Sequence, residues 1–356
     1  MNQIRLKISI VMTNYNYARY IGFAIDSVLA QTRAADEIII VDDGSTDRSR
    51  EIISSYGDKV RQIFKSNEGH KIARNLGFQV STGDVVLFFD ADDVLYARAL
   101  EMVESHWRTD AAKVQFDLDV IDAEGKKLNR RFCNFRGDLS PLDLKREFGR
   151  TGTYMWPVTS GNAYARSFLE KVMPLTPPVS HDGVLNTIAP VYGSVITIGQ
   201  AQGQYRLHGR NISRTNAAGH HKRFPDFSGR IASRLQEFAV LREHASKFGV
   251  HLPVGNYLDN ELVFVNYRLM AMKLGQAYEG IAFDTAPKLW HRGVQLALQA
   301  DTNFRTKLVN LTWFSALLIA PGVLANVLIL LRFNRAEVVR HLMWPFARAK
   351  RSGGLF

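Results

Sequence analysis

The sequence has a single cysteine, Cys133, among its 356 residues. One cysteine cannot build an intramolecular disulfide framework, and no cysteine cluster is present that could hold zinc. Residues 1–7 contain no apolar stretch of signal-peptide length, so we expect no secretion by that route. These absences favour a protein of a reducing compartment.

Two common nucleotide-binding motifs are also missing. No Gly-x-Gly-x-x-Gly follows the first apolar run, and no Walker-type glycine-rich loop ending in Gly-Lys-Ser or Gly-Lys-Thr occurs. No zinc-finger or helical nucleic-acid motif accompanies the net charge of +11. The sequence therefore excludes a dinucleotide-binding Rossmann unit and a phosphate-loop enzyme, and we expect no nucleic-acid partner.

The length and the distribution of charge indicate two parts. An apolar fraction of 46% with 22% charged residues is ordinary for a chain that buries a core. Residues 1–220 carry 27 Lys and Arg against 25 Asp and Glu, whereas residues 221–356 carry 18 against 9. The basic excess lies in the second part, where an anionic surface or ligand is its natural partner.

Five apolar residues in a row, Val85–Phe89, lead into three carboxylates, Asp90, Asp92 and Asp93. A continuous β-branched and aromatic run is typical of a strand buried on both faces, so the carboxylates must lie where it leaves the core. Carboxylate oxygens arranged in this way suit Mg²⁺ or Mn²⁺. The alternative is that Asp93 caps a helix over residues 94–100.

Strands and helices alternate over the first hundred residues. The apolar runs Ile8–Thr13, Glu37–Val41 and Val85–Phe89 each end in polar residues, and segments of helical periodicity separate them. This pattern predicts an α/β fold with a Rossmann-like, mostly parallel central sheet flanked by helices. Parallel strands end at one edge of the sheet, which is where ligands bind, so the polar clusters should converge there. This convergence favours a metal site at Asp90, Asp92 and Asp93 over a helix cap at Asp93.

Three stretches of this region together resemble family 2 glycosyltransferases. They are Ile8–Asn16, Val41–Asp47 and the pair Ala73–Asn75 with Gly83–Asp93. Each is short, but their order and spacing are specific. The resemblance implies an A-type glycosyltransferase fold over residues 1–220, with a nucleotide-binding half to about residue 112 and an acceptor half beyond it.

The same resemblance implies roles at the donor site. Thr13 and Tyr15 would frame the nucleobase, and Asp43 would hydrogen-bond the edge of a uracil ring. Asp90 and Asp92 would be the acids of the family's Asp-x-Asp motif, which binds a nucleotide diphosphate through Mn²⁺ or Mg²⁺.

Four residues of the predicted donor region keep two interpretations. One residue of the Asp42–Asp43 pair is expected to serve only the turn. Lys71 and Arg74 either reach a phosphate or are solvated on a helix over residues 71–80, because the loop before them has less glycine than the family pattern.

The acceptor half begins with two predicted strands over residues 114–131, and residues 159–166 predict the start of a helix. A second helix start at Ser180–Leu185 places Asp182 in a first turn, where the helix dipole favours an ionised carboxylate. Inverting sugar transfer needs a carboxylate to take the proton of the acceptor hydroxyl. By position Asp182 resembles the family's catalytic base; the alternative is that it only caps its helix.

Residues 204–213 resemble the end of this domain in bacterial members of the family. His208 within them either completes the metal shell, contacts the diphosphate or has a structural role. Arg206 and Arg210 are candidates to neutralise phosphate.

Residues 221–356 predict a helical C-terminal region without a catalytic motif. Val309–Leu331 has no charged residue, but Pro321-Gly322 should either kink it or divide it into two short helices. A basic tail follows, with Arg332, Arg335, Arg340, Arg348, Lys350 and Arg351. This pattern indicates attachment to an anionic membrane surface, the inner face of the plasma membrane, without spanning it. The alternative is a hairpin buried against residues 221–300.

The sequence thus predicts a cytoplasmic, membrane-attached, metal-dependent inverting glycosyltransferase. Its donor would be a nucleotide-sugar, with UDP as the first choice, and its acceptor the hydroxyl of a glycan or lipid-linked glycan in polysaccharide biosynthesis. Two alternatives remain. One is a polyprenyl-phosphate sugar synthase, whose phosphate acceptor needs no base; the other is a nucleotide-sugar-binding protein without turnover.

Overall fold

A computed structural model of the chain describes residues 5–135, 137–175, 180–208, 224–300 and 302–333. The chain divides into two compact units, residues 1–209 with 237–253 and residues 210–236 with 254–356. The boundary predicted near residue 220 lies outside the described residues.

The first unit contains the strands and seven of the described helices. The strands are β1 (Ile8–Asn14), β2 (Glu37–Asp43), β3 (Arg61–Lys65), β4 (Val85–Asp90), β5 (Val94–Leu95), β6 (Ala111–Ile121), β7 (Lys127–Phe132), β8 (Asn162–Ala165) and β9 (Ser194–Arg206). The helices are α1 (Ile21–Leu29), α2 (Ser49–Ser54), α3 (His70–Val80), α4 (Ala99–His106), α5 (Pro141–Thr151), α6 (Arg166–Leu169) and α7 (His181–Tyr192).

Within the described residues, the nine strands form one sheet in the order β3-β2-β1-β4-β8-β6-β9-β5, with β7 paired to β6. The pairs among β3, β2, β1 and β4 are parallel, and so is β6 with β9. The strand β8 runs antiparallel to both of its neighbours. The α/β fold is therefore confirmed, with a parallel half that carries the first polar clusters and a mixed half beyond it.

Strand β4 is buried as its composition predicts, since Val85–Phe89 are no more than 1% exposed. In the sheet, Thr13 at the end of β1 lies opposite Val41 on one side and Asp90 on the other. The ends of β1, β2 and β4 therefore meet at one edge, and the polar residues that follow them converge there.

Helix α3 lies against β1 at a distance that only glycine allows. A Cβ at Gly77 would stand 2.3 Å from Cγ1 of Val11 and 3.4 Å from Cγ2 of Val41. This close approach carries the preceding turn of α3, with Arg74, to the polar edge of the sheet.

Gly77→Ala should therefore lower the free energy of unfolding by about 1–3 kcal/mol, because the added methyl overpacks a rigid core. Val11 is 1% exposed and has no room to move aside. Gly149→Ala in α5 is the matched control: nothing lies within 4 Å of its added methyl, so it should gain about 0.5–1 kcal/mol. Denaturant unfolding of both variants measures the difference, and equal effects would contradict the close packing of α3.

One prediction about local structure is wrong, and one alternative is excluded. The helix predicted from residues 159–166 begins only at Arg166, with the short α6: Thr159–Gly161 form a 3₁₀ turn, and β8 then inserts between β4 and β6. Asp93 does not cap a helix over residues 94–100, since β5 follows it and α4 begins at Ala99. In both places sheet pairing with distant strands outweighs the local preference.

The second unit is helical, as predicted. Its helices are the first part of α8 (Phe227–Lys247), α9 (Leu262–Lys273), α10 (Ala286–Gln299), α11 (Phe304–Ile319) and α12 (Gly322–Phe333). The apolar run is divided at Pro321, because α11 ends at Ile319 and α12 begins at Gly322. In the part of the chain that the structure describes, no helix has the length and apolar character needed to cross a membrane. The basic tail beyond Phe333 lies outside the described residues.

Helices α11 and α12 bury one face and expose another. Phe314 and Leu317 on α11 are buried, as are Ala325, Ile329 and Leu330 on α12. Ile319 and Val323, on either side of the break, are each 81% exposed. The hairpin is therefore part of the helical core and also presents an apolar tip.

Candidate functional site

The turn after β2 is held by side chains from the turn after β1. Asp42 is fully buried and accepts hydrogen bonds from Nδ2 of Asn14 at 2.8 Å and from the amide of Ser45 at 3.0 Å. The Oδ1 of Asn16 accepts from the amide of Thr46 at 2.7 Å. The turn role expected of one residue in the acidic pair thus belongs to Asp42.

Asp43 ties the same edge to the start of α3. Its Oδ1 accepts from Nζ of Lys65 at 2.9 Å and from the amide of Glu68 at 3.0 Å, and its Oδ2 accepts from the amide of Gly69 at 2.7 Å. Thr13 is half-buried nearby in the sheet and Tyr15 is 44% exposed. The structure places these three residues at one edge, and their roles toward a nucleobase stay predictions.

Arg74 joins the two halves of the site. Its side chain is buried, and NH1 lies 2.5 Å from Oδ1 of Asp182 while NH2 lies 3.7 Å from Oδ1 of Asp90. The ring of Phe88 lies 5.5 Å from the guanidinium carbon. Arg74 is therefore not solvated, which removes one of its two interpretations. Lys71, one turn earlier, is half-buried. Its pKa is lowered, mainly by burial and also by repulsion from the charge of Arg74.

Asp182 lies in the first turn of α7, as predicted, but it is not the cap of that helix. The hydroxyl of Ser180 is the cap and accepts from the amide of Gly183 at 3.2 Å. The Asp182 carboxylate instead accepts from Arg74 through Oδ1 and from the hydroxyl of Thr159 through Oδ2, both at 2.5 Å.

These contacts keep the carboxylate of Asp182 ionised. Burial alone would raise its pKa, but the charge of Arg74 and the hydrogen bonds from Thr159 and Arg74 outweigh burial and lower it. The preceding residue, His181, is neutral at pH 7, because burial and the charge of Arg74 lower its pKa to about 4. The side chain of Asp182 is still 33% exposed, so an incoming molecule can reach it.

The acids after β4 resist full ionisation. Burial raises the pKa of Asp90 to about 7; Arg74 opposes this shift, while Asp92 and Asp182 add to it. Burial and the charges of Asp92 and Asp90 raise the pKa of Asp93, whose Oδ1 accepts from the amide of Arg206 at 2.9 Å. An added positive charge at this cluster would relieve the repulsion.

His208 lies against Asp92, with Nε2 and Oδ2 2.7 Å apart. The imidazole is enclosed by aromatic rings, since its centroid lies 5.6 Å from that of Tyr17 and 5.1 Å from that of Tyr20. Arg206 completes this wall: its Nε donates to the carbonyl of Asp92 at 2.9 Å, and its guanidinium lies 5.0 Å from the Tyr20 ring. Arg206 thus shapes the acidic turn, while Arg210 lies outside the described residues.

The predicted metal ligands are brought together only in part. Asp92 and His208 form a pair, whereas Asp90 lies beside Arg74. Within the described ranges, no group of three or more His, Cys, Asp or Glu side chains is arranged to hold a metal ion. Mg²⁺ commonly takes only one or two protein carboxylates and completes its shell with water and substrate phosphates. The Asp92 carboxylate fits such an ion, and the role of His208 as a ligand stays a prediction.

Four residues at the site were not predicted from sequence. Thr159 contacts Asp182, the hydroxyl of Ser160 accepts from the amide of Asp90 at 3.1 Å, and Tyr17 and Tyr20 enclose His208. The pair of tyrosines three residues apart, just beyond a strand end, was the one available signal.

Comparison with known proteins identifies the protein family that the first part of the chain matches. Residues 9–172 match the model of the family described as "Glycosyl transferase family 2". An uncharacterized glycosyltransferase of Nostoc sp. is 41% identical over 215 residues, which cover 58% of this chain and 66% of the relative. The uncharacterized glycosyltransferase YibD of Escherichia coli is 41% identical over 117 residues, 32% of either chain. Residues 9–172 therefore form a glycosyl transferase family 2 domain.

One solved structure supports the fold. Staphylococcus aureus TarS, residues 1–349, in complex with UDP-GlcNAc, aligns with a TM-score of 0.51 over 91% of this chain and 90% of that chain. Its sequence identity of 14% makes this a likeness of fold alone.

Proposed function

We propose that the chain is a metal-dependent inverting glycosyltransferase that moves a sugar from a UDP-linked donor to the hydroxyl of a glycan or lipid-linked glycan in polysaccharide biosynthesis. The observation that carries the proposal is the Arg74 bridge, which sets the ionised, accessible Asp182 beside the acids that end β4. The complex of TarS with UDP-GlcNAc supports UDP as the nucleotide.

The donor would lie along the polar edge of the sheet. Thr13, Tyr15 and Asp43 would take the nucleobase end, and Lys71 and Arg74 would face the phosphates. Asp92, with His208 beside it, would hold Mn²⁺ or Mg²⁺, which supplies positive charge to the leaving diphosphate when bound.

Asp182 would act as the base of the transfer. The acceptor oxygen attacks the anomeric carbon, its proton passes to a carboxylate oxygen of Asp182, and the nucleoside diphosphate departs with the electrons of the broken bond. Each carboxylate oxygen can accept two hydrogen bonds, so those from Arg74 and Thr159 leave sites free for the acceptor hydroxyl. No covalent intermediate is required.

The test is donor turnover. Purified protein is incubated with UDP-, GDP- and dTDP-sugars, with Mn²⁺, with Mg²⁺ or with EDTA, and the free nucleotide diphosphate is measured. We expect release from a UDP-sugar that stops with EDTA. Binding of a donor without release would favour the non-catalytic alternative, and turnover that needs a polyprenyl phosphate would favour the synthase.

We also propose that the tip of the α11–α12 hairpin attaches the protein to an anionic bilayer at the cytoplasmic face. Ile319, Val323 and Leu324 are 81%, 81% and 50% exposed, and no charge lies between them. The basic residues at 332–351 follow directly in the sequence. Apolar side chains beside a basic segment are the combination that holds interfacial helices to anionic lipid.

The double variant Ile319→Ser with Val323→Ser should release the protein from vesicles. Deleting residues 305–356 would be a poor test, because it removes the buried face of the hairpin as well. In co-sedimentation with phosphatidylglycerol vesicles, wild type should pellet and the double variant should not, above all in high salt, which screens the basic residues. Val254→Ser, at a valine that is even more exposed than Val323, is the control and should pellet like wild type. Wild type that ignores the vesicles would refute the attachment.

A further inference from the structure

Strand β6 has two buried faces of opposite character. Val114, Phe116 and Leu118 belong to the apolar core. Lys113 and Asp117, on the other face, are as fully buried. Buried polar groups require partners, so the partners of Lys113 indicate what this face does.

The ammonium of Lys113 contacts two amide side chains. Nζ donates to Oδ1 of Asn162 at 2.8 Å and to Oδ1 of Asn186. It also lies 5.3 Å from the ring centroid of Tyr154 and 5.9 Å from that of Tyr164. Within the described residues, it forms no salt bridge with a carboxylate.

This arrangement is unfavourable for a lysine. Complete burial lowers the pKa of Lys113 well below its ordinary value. Burying a lysine side chain without a carboxylate partner destabilises a fold, and an apolar side chain of similar volume would pack there without that penalty. Buried ionisable groups of this kind are concentrated at functional sites, so the two asparagines need closer inspection.

Asn162 holds the turn that carries Thr159. Its Nδ2 donates to the carbonyl of Val158 at 2.8 Å, which fixes the amide so that Oδ1 faces Lys113. The next residue of that turn, Thr159, donates its hydroxyl to Oδ2 of Asp182.

Asn186 holds the first turn of α7. Its Nδ2 donates to the carbonyl of Asp182 at 2.8 Å, one helical turn earlier, so its Oδ1 also faces Lys113. Lys113 is therefore the common donor to the segment that carries Thr159 and to the segment that carries Asp182.

We propose that Lys113 is a positioning residue for Asp182. By binding Asn162 and Asn186 together, it sets the separation between Thr159 and the first turn of α7 and so fixes where the Asp182 carboxylate meets the acceptor. The catalytic part of this proposal rests on the proposed role of Asp182 as the base.

The test compares Lys113→Met with Asp117→Leu. The methionine fills the space of the lysine stem but cannot donate, which leaves the two Oδ1 atoms without Nζ. Asp117 lies on the same face of β6 and accepts from the amides of Asn134 and Phe135, which do not contact Asp182. The control therefore also leaves two polar groups, the amides of Asn134 and Phe135, without this partner, but away from the site.

Hydrogen exchange followed by mass spectrometry is the first readout, because it needs no substrate. Lys113→Met should raise amide exchange in both residues 157–163 and residues 180–187, whereas Asp117→Leu should raise it near residues 130–135 and leave those two segments unchanged. Exchange that stays at the wild-type level in either segment of Lys113→Met overturns the proposal, whether or not a donor has been found.

Turnover of the UDP-sugar found by the donor screen is the second readout. Lys113→Met should lower kcat by about 10- to 100-fold, the effect of small misplacement of a reacting group, with the donor KM nearly unchanged. Asp117→Leu should keep both values. If kcat is unchanged in Lys113→Met while Asp182→Asn loses turnover, the positioning role of Lys113 is overturned and the proposed role of Asp182 stands. No turnover in wild type refutes the proposed function, and the exchange result then decides the Lys113 contact by itself.

Discussion

Asp182→Asn is expected to lower turnover by about 10²–10⁴-fold while donor binding stays near the wild-type level, because the amide cannot take a proton and a positioned base contributes that much. The variant keeps the size of the side chain, and its amide oxygen can still accept from Arg74 or Thr159. Steady-state release of the nucleotide diphosphate gives kcat, and calorimetry with UDP gives binding. A variant with most of its rate would place the base elsewhere, and turnover that is insensitive to this change is what the polyprenyl-phosphate synthase predicts.

The pH dependence of the same reaction offers a separate check. Because the pKa of Asp182 is lowered, the base remains ionised below the range of an ordinary aspartate, and the acid limb of kcat attributable to it should lie there. Arg74→Met removes the charge that lowers this pKa, so the limb should move to higher pH. The sign for stability follows from the same shift: the Arg74–Asp182 pair stabilises the fold above the unfolded pKa of the acid, and this contribution is lost as the pH falls through the lowered one. An acid limb at the same pH in both proteins would show that Asp182 does not control it.

Arg74→Met should also be less stable at pH 7 by about 3–5 kcal/mol, the usual effect of leaving partners of a buried ion pair uncompensated. Denaturant unfolding at pH 7 measures this loss. The exposed pair Arg108–Asp110 supplies the control, because Arg108→Met breaks a contact of 2.9 Å at the surface and should leave the stability close to that of wild type. Equal losses would mean that Arg74 is not the cation that compensates the acids.

The parts of the fold that sequence could predict are those whose cause is local. Val85–Phe89 can only be a buried strand, and an acid directly after it can only lie at the strand end; both statements hold in the structure. The same reasoning placed Asp182 in a first helical turn, because the apolar residues after it repeat with helical spacing. Pro321 divided the apolar run for an equally local reason, its missing amide hydrogen.

The remaining features depend on partners far away in the chain. Arg74 and Asp182 are 108 residues apart, so no local pattern shows that one neutralises the other. Asn162–Ala165 follow a typical helix-start sequence and become a strand only because β4 and β6 provide edges on either side. Lys113 in an otherwise ordinary strand gives no sign of the two asparagines it contacts, 49 and 73 residues later.

Asp92→Ala is expected to abolish metal-dependent binding of UDP. Asp92 follows strand β4, and its side chain is 10% exposed and paired with His208. Its removal takes away the carboxylate proposed to hold the cation. Without the cation, the diphosphate would meet Asp90 and Asp93 with only the side chains of Lys71 and Arg74 to offset the repulsion. Calorimetric titration of UDP in Mn²⁺ and in EDTA measures the effect: wild type should bind in Mn²⁺ and weakly in EDTA, and the variant should bind weakly in both.

The fold should survive this substitution, which separates loss of binding from loss of structure. Asp92 contributes no side chain to the apolar core, and its removal relieves repulsion on Asp90 and Asp93, whose pKa values it raises. We therefore expect the metal-free stability to change by no more than about 1 kcal/mol. His208→Gln is the companion variant, because it removes the imidazole and keeps Asp92. If UDP binding by this variant also loses its Mn²⁺ dependence, His208 is a second metal ligand. If the Mn²⁺ dependence is kept, His208 only orients Asp92. If Asp92→Ala binds UDP with the Mn²⁺ dependence of wild type, the metal site at this strand end is refuted. Among the described residues of this turn, neither remaining acid could replace Asp92, because Asp90 is held against Arg74 and Asp93 is buried.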